Sequence, residues 1–126
     1  MSQNDVLPRA LVIDDDDLVR NVIYDLVKSF GYDADMAASG AEGLALFDRH
    51  HYDVVLTDLL MPGMTGWEVL AAVRERDSKI PVLLVTGSAV YADDVRPSQP
   101  GVMLVKKPVD LQILENALSR VLANGE

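Results

Sequence analysis

The fold is decided by the stretch VVLTDLLMPGMTGWE, residues 54–68. It begins with an apolar run that closes on Asp58, which is typical of a strand buried on both faces of a parallel sheet. A proline–glycine turn follows, and Thr65 with Glu68 has the spacing of a capping box that begins a helix. The stretch therefore predicts a strand, a loop at its carboxyl end and a helix, which form one unit of an α/β fold.

Similar units lie on both sides of this stretch, so strand and helix alternate along the chain. Strands are predicted at residues 9–14, 33–37, 52–58, 80–86 and 101–106. Five such units with right-handed crossovers give a doubly wound α/β sandwich, in which one parallel sheet carries helices on both faces. The 126 residues are predicted to form a single domain over residues 1–126, with a core at about 9–122.

Apolar periodicity and capping residues predict the first and last helices. The first helix carries an inward stripe that includes Leu18 and Val22, and Gly31 is expected to end it. The last helix begins at Asp110 as its N-cap and carries a stripe that starts at Ile113. Both helices are therefore expected to cover the sheet with these apolar faces.

Two other helices are predicted with different regularity. Ser39 and Glu42 have capping-box spacing and begin the second helix. Pro97 and Pro100 limit any helix after the fourth strand to about residues 89–95. We therefore expect the helix at that place, the fourth of five, to be short or irregular.

Composition argues against several classes of function. The net charge of -9 opposes direct binding to nucleic acid or to an anionic membrane, since phosphate contacts need clustered lysine and arginine. No apolar run approaches the roughly 20 residues of a membrane span, and the first residues lack the basic region of a secretory signal. The absence of cysteine fits a reducing compartment. These features predict a cytoplasmic protein that contacts neither nucleic acid nor membrane.

Charged residues follow three of the predicted strands. Asp14 and Asp15 follow the first strand, Asp58 closes the third, and Lys107 follows the fifth. The carboxyl ends of parallel strands meet at one edge of a sheet, so these side chains should converge on one crevice. Carboxylates about 4 Å apart repel by about 4 kcal/mol at an effective dielectric of 20, so the cluster needs a cation. A few carboxylates with a backbone carbonyl and waters suit Mg²⁺.

A bound Mg²⁺ would let the Asp58 carboxylate approach and attack an anionic phosphoryl donor, which gives an aspartyl phosphate. Lys107 supplies positive charge for phosphoryl oxygens, and the hydroxyl of Thr86 at the end of the fourth strand is a candidate donor to them. Structural roles compete with these: aspartates before a helix are often caps, and we expect Asp16 or Asp17 to cap the first helix.

Other residues invite functional roles that the pattern does not favour. His50 and His51 end the second helix just before a strand, so surface positions away from the crevice are expected. Lys106 should point to the opposite face of its strand from the site. Trp67 lies in the first turn of its helix and is expected to be partly exposed beside the crevice.

Four motifs together resemble the receiver domain of bacterial two-component response regulators, and the resemblance covers Arg9 to Leu122. In order they are LVIDDD at 11–16, LTDLLMPGMTG at 56–66, VLLVTG at 82–87 and KKP at 106–108. The resemblance implies a flavodoxin-like fold with strand order 2-1-3-4-5. It also implies a cis bond between Lys107 and Pro108.

The same resemblance implies roles for individual residues. Asp58 would be the phosphoacceptor, with Thr86 as the switch hydroxyl and Lys107 as the phosphate-pairing lysine. The implied ligands of Mg²⁺ are Asp15 directly, Asp14 mostly through water, Asp58, and the backbone carbonyl of Leu60.

The implied function is a signalling module that takes a phosphoryl group from a sensor histidine kinase or a histidine phosphotransfer protein and then switches its binding to an unknown downstream protein. Such a module is no enzyme beyond self-phosphorylation from its donor and autodephosphorylation. No output domain is evident after the last helix, which predicts a stand-alone receiver or a fragment of a longer protein.

Two departures from the family concern how phosphorylation is read out. The family commonly has an aromatic residue three positions before the lysine, where this chain has Leu104. The prolines shorten the helix after the fourth strand. We therefore expect the signal to pass through residues 87–100, with partner contacts around residues 89–96 and on the neighbouring face of the last helix.

Two alternatives remain open at this point. A Mg²⁺-dependent aspartyl phosphohydrolase of the haloacid-dehalogenase type has an Asp-x-Asp-x-Thr pattern after its first strand. Asp14 and Asp16 have that spacing, but Leu18 replaces the threonine and there is no room for a cap domain. A pseudo-receiver that only binds partners would not need the complete set of site residues.

Overall fold

In a computed structural model, the protein is described over residues 7–87, 101–107 and 110–124, with 121–124 as backbone. The strands of the described ranges are β1 (Arg9–Ile13), β2 (Asp33–Ala37), β3 (Val54–Asp58), β4 (Val82–Thr86) and β5 (Val102–Lys106). The helices of these ranges are α1 (Asp17–Ser29), α2 (Gly40–Arg49), α3 (Gly66–Arg76) and α4 (Leu111–Asn124).

The five strands form one parallel sheet in the order β2-β1-β3-β4-β5. This confirms both the doubly wound α/β prediction and the strand order that the resemblance implied. The order reverses between β1 and β3, and in such sheets the ligand crevice lies at this reversal, beyond the carboxyl ends of the strands.

Two hydrophobic cores lie on opposite faces of the sheet. Alternate residues of a strand point to opposite faces, so Val12 of β1 packs with α1 and α4 while Leu11 packs with α2 and α3. The central strands β3 and β4 are buried along their whole length. Burial on both faces explains why these strands read as continuous apolar runs rather than as alternating ones.

Local signals in the sequence begin and end the helices. The side chain of Asp16 accepts from the amides of Leu18 and Val19 and caps α1. Gly31 has a φ of 91°, the left-handed conformation expected of a residue that ends a helix. The capping box of α3 forms as predicted, with both of its hydrogen bonds present.

The second predicted capping box forms only in part. The hydroxyl of Ser39 accepts from the amide of Glu42, but the Glu42 carboxylate accepts from the amide of Ala38 instead of the amide of Ser39. Asp110 caps α4, because its carboxylate accepts from the amide of Ile113. The prediction was therefore right for the position of both helix starts and wrong for one bond.

The structure corrects the predicted helix stripes and some strand bounds. Leu18 and Val22 are 74% and 43% exposed, and Ile113 is 43% exposed, so these residues do not face the sheet. Their helical spacing predicted that these apolar residues face the sheet, but the buried face of each helix is narrower than its stripe of apolar residues. Tyr52 is buried yet precedes β3, which begins at Val54.

Three predictions fall outside the described residues: the short helix after β4, the partner contacts around residues 89–96 and the geometry of the Lys107–Pro108 bond. Within the described ranges, no helix is both long and apolar enough to cross a membrane.

Candidate functional site

Four charged residues meet at the carboxyl edge of the sheet. Asp14 and Asp15 follow β1, Asp58 closes β3, and Lys107 follows β5. Each of the three aspartates offers one carboxylate oxygen, and these oxygens lie within 4.8 Å of one another. The structure therefore brings together the three carboxylates and the lysine that the sequence placed at strand ends.

Asp14 is the most deeply buried member of the cluster. Its side chain is fully buried, and its Oδ1 accepts from the amide of Asp16 at 2.9 Å. Among the described residues its Oδ2 has no hydrogen-bond partner, and the Nζ of Lys107 lies 3.4 Å from it. A buried carboxylate oxygen held by one charge contact only is costly, so it is suited to a cation.

Asp58 is 8% exposed and lies between the other charges of the site. Its Oδ1 accepts from the amide of Leu59 at 2.9 Å and lies 3.3 Å from the Nζ of Lys107. Burial raises the pKa of the Asp58 carboxyl above its ordinary value, and repulsion from Asp14 raises it further, while Lys107 opposes the rise. The net direction is upward, so Lys107 does not offset the combined effect of burial and of the Asp14 charge on this pKa.

The donor set fits a hard divalent cation. The clustered atoms are all carboxylate oxygens, which suit Mg²⁺, and the cluster holds neither the sulfur nor the imidazole that softer metals prefer. Asp15 is exposed, so one side of the cluster is open to solvent. An open side leaves room for water ligands and for an incoming group. Leu60, whose backbone carbonyl is the remaining ligand that the resemblance implied, follows Asp58 by two residues, and its side chain is 49% exposed.

Thr86 and Lys107 are joined through their backbones. Thr86 is 1% exposed at the end of β4, and its carbonyl accepts from the amide of Lys107 at 2.7 Å. This bond continues the pairing of β4 with β5 by one residue. The bond therefore fixes the backbone of Lys107 relative to that of Thr86.

Gly66 is a residue of the site region to which sequence reasoning gave no role. A Cβ at this position would lie 2.5 Å from the carbonyl oxygen of Asp58 and 2.8 Å from the Cα of Leu59. The amide of Gly66 donates to the Leu59 carbonyl at 2.7 Å, so the start of α3 packs directly on the end of β3. The available signal was a poor helix former in the first turn of a well-capped helix.

Arg20 was also missed. Its guanidinium donates to the backbone carbonyl of Asp14 at 2.8 Å and to the carboxylate of Asp17 at 2.5 Å. The spacing of three residues between Asp17 and Arg20 indicates a helical ion pair, but nothing in the sequence shows the contact with Asp14.

The residues to which we assigned no site role are not members of the acidic cluster. His50 and His51 are exposed at the end of α2, and the Nε2 of His51 lies 3.2 Å from Asp53. Lys106 is exposed, and Trp67 is half-buried in the first turn of α3. The exposure of the two histidines and the partial burial of Trp67 agree with the sequence-based expectations.

Comparisons with known proteins place the chain in a family. Residues 10–119 match the family described as the response regulator receiver domain. The chain is 33% identical over 117 residues to the chemotaxis protein CheY of Pseudomonas aeruginosa, covering 90% of this chain and 94% of CheY. It is 31% identical over 120 residues to the sensor histidine kinase RcsC of Escherichia coli, covering 94% of this chain and 12% of the kinase.

A solved structure shows the same fold. The response regulator protein TrrA from Thermotoga maritima, crystallised in complex with Mg²⁺-BeF, matches with a TM-score of 0.80 at 27% identity. The match covers 91% of this chain and 99% of TrrA.

The chain belongs to the response regulator receiver domain family, a family of phosphorylation-dependent signalling domains. The haloacid-dehalogenase alternative finds no support in these comparisons. The geometry also disfavours it, because Asp16, the second aspartate of that pattern, caps α1 with its carboxylate.

Proposed function

We propose that the chain is a single receiver domain over residues 1–126 and that Asp58 is its phosphoacceptor. The observation that carries this proposal is that one ammonium group contacts two buried carboxylates. The Nζ of Lys107 lies 3.4 Å from the Asp14 carboxylate and 3.3 Å from that of Asp58. Together with Asp15, these groups form an acidic cluster with one cationic neighbour at the sheet reversal. A carboxylate nucleophile beside a cation and an ammonium is the arrangement that phosphoryl transfer needs.

Asp58 would act as the nucleophile. One of its carboxylate oxygens forms a bond to phosphorus as the bond from phosphorus to the donor's nitrogen breaks, and the leaving nitrogen takes up a proton. Lys107 binds an oxygen of the transferred group, and the buried hydroxyl of Thr86 donates to another. When bound, Mg²⁺ would neutralise the carboxylates and bind phosphoryl oxygens. Asp14, Asp15, Asp58 and the Leu60 carbonyl are its proposed ligands.

The proposed phosphodonor is a histidine kinase or a histidine phosphotransfer protein. The relatives include a sensor histidine kinase and a chemotaxis protein, and the chain matches only 12% of the former but 94% of the latter. The downstream partner is proposed to be a protein, since a net charge of -9 disfavours nucleic acid and anionic lipid. We place this activity in the cytoplasm, and the domain's own chemistry is limited to self-phosphorylation and autodephosphorylation.

The readout is proposed to use the backbone that follows Thr86. Leu104 on β5 is half-buried against the core formed with α2 and α3, and it pairs in register with Leu84. A leucine has no ring to rotate into space that a moving Thr86 would leave. Hydrogen exchange with and without a phosphoryl mimic tests this, and changes centred on α1 instead of residues 87–100 would contradict it.

Mass spectrometry tests the phosphoacceptor. Incubation with phosphoramidate and Mg²⁺ should add one phosphoryl group, which peptide mapping should place on Asp58. Asp58→Asn or excess chelator should abolish the addition. Asp53→Asn, which alters a carboxylate at the opposite edge of the sheet, is the matched control and should still be labelled. Labelling that persists in Asp58→Asn would disprove the assignment.

A further inference from the structure

The four consecutive aspartates after β1 divide into two pairs with different work. Asp16 caps α1, and Asp17 forms an ion pair with Arg20 at 2.5 Å. Asp14 and Asp15 join Asp58 in the acidic cluster. Four identical residues in the sequence therefore have two different positions: two carboxylates stabilise the start of α1, and two belong to the acidic cluster.

Arg20 is unusually enclosed for a residue at the start of a surface helix. Its side chain is 15% exposed, whereas its partner Asp17 is 85% exposed. Its Nη1 donates to the backbone carbonyl of Asp14 at 2.8 Å while its Nη2 contacts Asp17. The guanidinium is thus held at both sides of its planar fork, which is a geometry that lysine cannot reproduce.

The contact with the Asp14 carbonyl has a geometric consequence. That carbonyl belongs to the rigid peptide unit that joins Asp14 to Asp15. Fixing its oxygen therefore fixes the orientation of the backbone from which both carboxylates of the cluster extend. The second anchor of the fork, Asp17, lies in the first turn of α1, so the turn is held against the helix.

We propose that Arg20 is a positioning residue that sets the affinity of the acidic cluster for Mg²⁺. This inference rests on the proposed function, since it takes Mg²⁺ as the ligand of the cluster. Groups that orient metal ligands from behind typically change metal affinity by about 10–100-fold when removed. Arg20 acts on two of the three carboxylates through one peptide unit, so its loss belongs in that range.

The positive charge of Arg20 has the opposite effect on the affinity for Mg²⁺. A positive charge near the cluster repels a cation, so its removal alone would strengthen binding. The carboxylate of Asp17 lies 2.5 Å from the guanidinium, however, and its negative charge opposes the field of Arg20 at the crevice. When Arg20 is removed, the loss of affinity from misplaced carboxylates is therefore expected to exceed the gain from reduced repulsion of Mg²⁺.

Titration calorimetry with MgCl₂ alone, on the full chain, tests the proposal. Arg20→Met should raise the Kd for Mg²⁺ by about tenfold. Arg20→Lys keeps the charge and one contact, so it should give a smaller rise. The fluorescence of Trp67, the single tryptophan, provides an independent readout of the same titration.

Arg76→Met is the matched control. Arg76 donates to the carboxylate of Asp48 at 2.6 Å and to the carbonyl of Ala72 at 2.9 Å, which repeats the contacts of Arg20 on α3. Its loss should lower the midpoint of thermal unfolding without metal but leave the Kd unchanged.

The outcomes separate this inference from the proposed function. An Arg20→Met variant that folds and binds Mg²⁺ as tightly as the wild type, or more tightly, would overturn the positioning role. If Arg20→Met does not fold, an unchanged Kd in Arg20→Lys would overturn it. A wild-type chain without saturable Mg²⁺ binding would refute the metal site itself, and the Arg76→Met control would then fail in the same way.

Discussion

The two ends of the strands, which form the amino edge and the carboxyl edge of the sheet, carry similar charged groups. Their carboxylates differ in the number of partners they have. At the amino edge, the hydroxyl of Tyr52 donates to Asp35 at 2.6 Å, and the guanidinium of Arg9 lies 3.9 Å from the same carboxylate. The amide of Arg9 donates to Asp53 at 2.8 Å, and His51 approaches the other oxygen of Asp53. Each of these two carboxylates therefore has at least two partners.

At the carboxyl edge, three carboxylates form a cluster, and the Nζ of Lys107 contacts two of them, Asp14 and Asp58. Asp14 has a buried oxygen without a hydrogen-bond partner in the described part of the chain, and the pKa of Asp58 is raised by burial and by Asp14. Paired carboxylates stabilise the folded state, whereas clustered ones cost stability and are free to bind a ligand. The difference is consistent with the proposed function, in which the carboxylates at the carboxyl edge bind a ligand.

The largest expected effect comes from disturbing the close packing at the carboxyl edge. Gly66→Ala should lower the free energy of unfolding by about 2–3 kcal/mol, because its Cβ would overlap the backbone of Asp58 and Leu59. Urea unfolding measures the loss, and a Mg²⁺ titration should show weaker binding as β3 shifts.

A glycine at the amino edge provides the comparison. Gly31→Ala meets no atom within 4 Å, so its cost should be limited to the positive φ of 91°, about 1 kcal/mol, with Mg²⁺ binding unchanged. Equal losses of Mg²⁺ affinity in both variants would mean that general destabilisation, not the site, is being measured.

A smaller change in the free energy of unfolding is expected from removing one hydrogen bond at the amino edge. Tyr52→Phe removes the hydrogen bond to Asp35 and should cost about 1.5 kcal/mol, in the range of hydrogen bonds to charged groups. Chemical denaturation checks this value. Phosphorylation and Mg²⁺ affinity should stay as in the wild type, and a change in either would show that the two edges are coupled.

The smallest expected effect has the opposite sign. Asp58→Asn should stabilise the metal-free protein by about 1 kcal/mol at neutral pH, because it removes a buried charge that repels Asp14. The folded pKa of Asp58 lies above the unfolded one, so the carboxylate costs stability above the folded pKa and this cost disappears as pH falls through it. Thermal unfolding should show a midpoint about 3–5 °C higher at neutral pH.

The stabilisation by Asp58→Asn should vanish at acidic pH, where the wild-type carboxyl is protonated. Asp53→Asn is the control at the amino edge and should destabilise the protein, because a neutral amide oxygen accepts more weakly than the carboxylate from the amide of Arg9. A destabilised Asp58→Asn at neutral pH would contradict the electrostatic account of the carboxyl edge.

The fold and the place of the site could be predicted from the sequence because both follow from local rules. Apolar runs predicted the five strands to within two residues at either end, and capping residues predicted where helices begin. Once the strands are parallel, their carboxyl ends must meet, so Asp14, Asp58 and Lys107 had to share an edge. This inference needed no knowledge of any side-chain contact.

Other features depend on atoms that are distant along the chain or on the exact direction of a side chain. The sequence determined that four aspartates follow β1, but only the tertiary structure decided that Asp16 caps α1 while Asp14 turns inward to Lys107. It also decided that Leu18 is exposed and that Arg20 reaches the Asp14 carbonyl. Periodicity and spacing specify which residues lie near one another, whereas packing and hydrogen bonding between separate elements select among their possible partners.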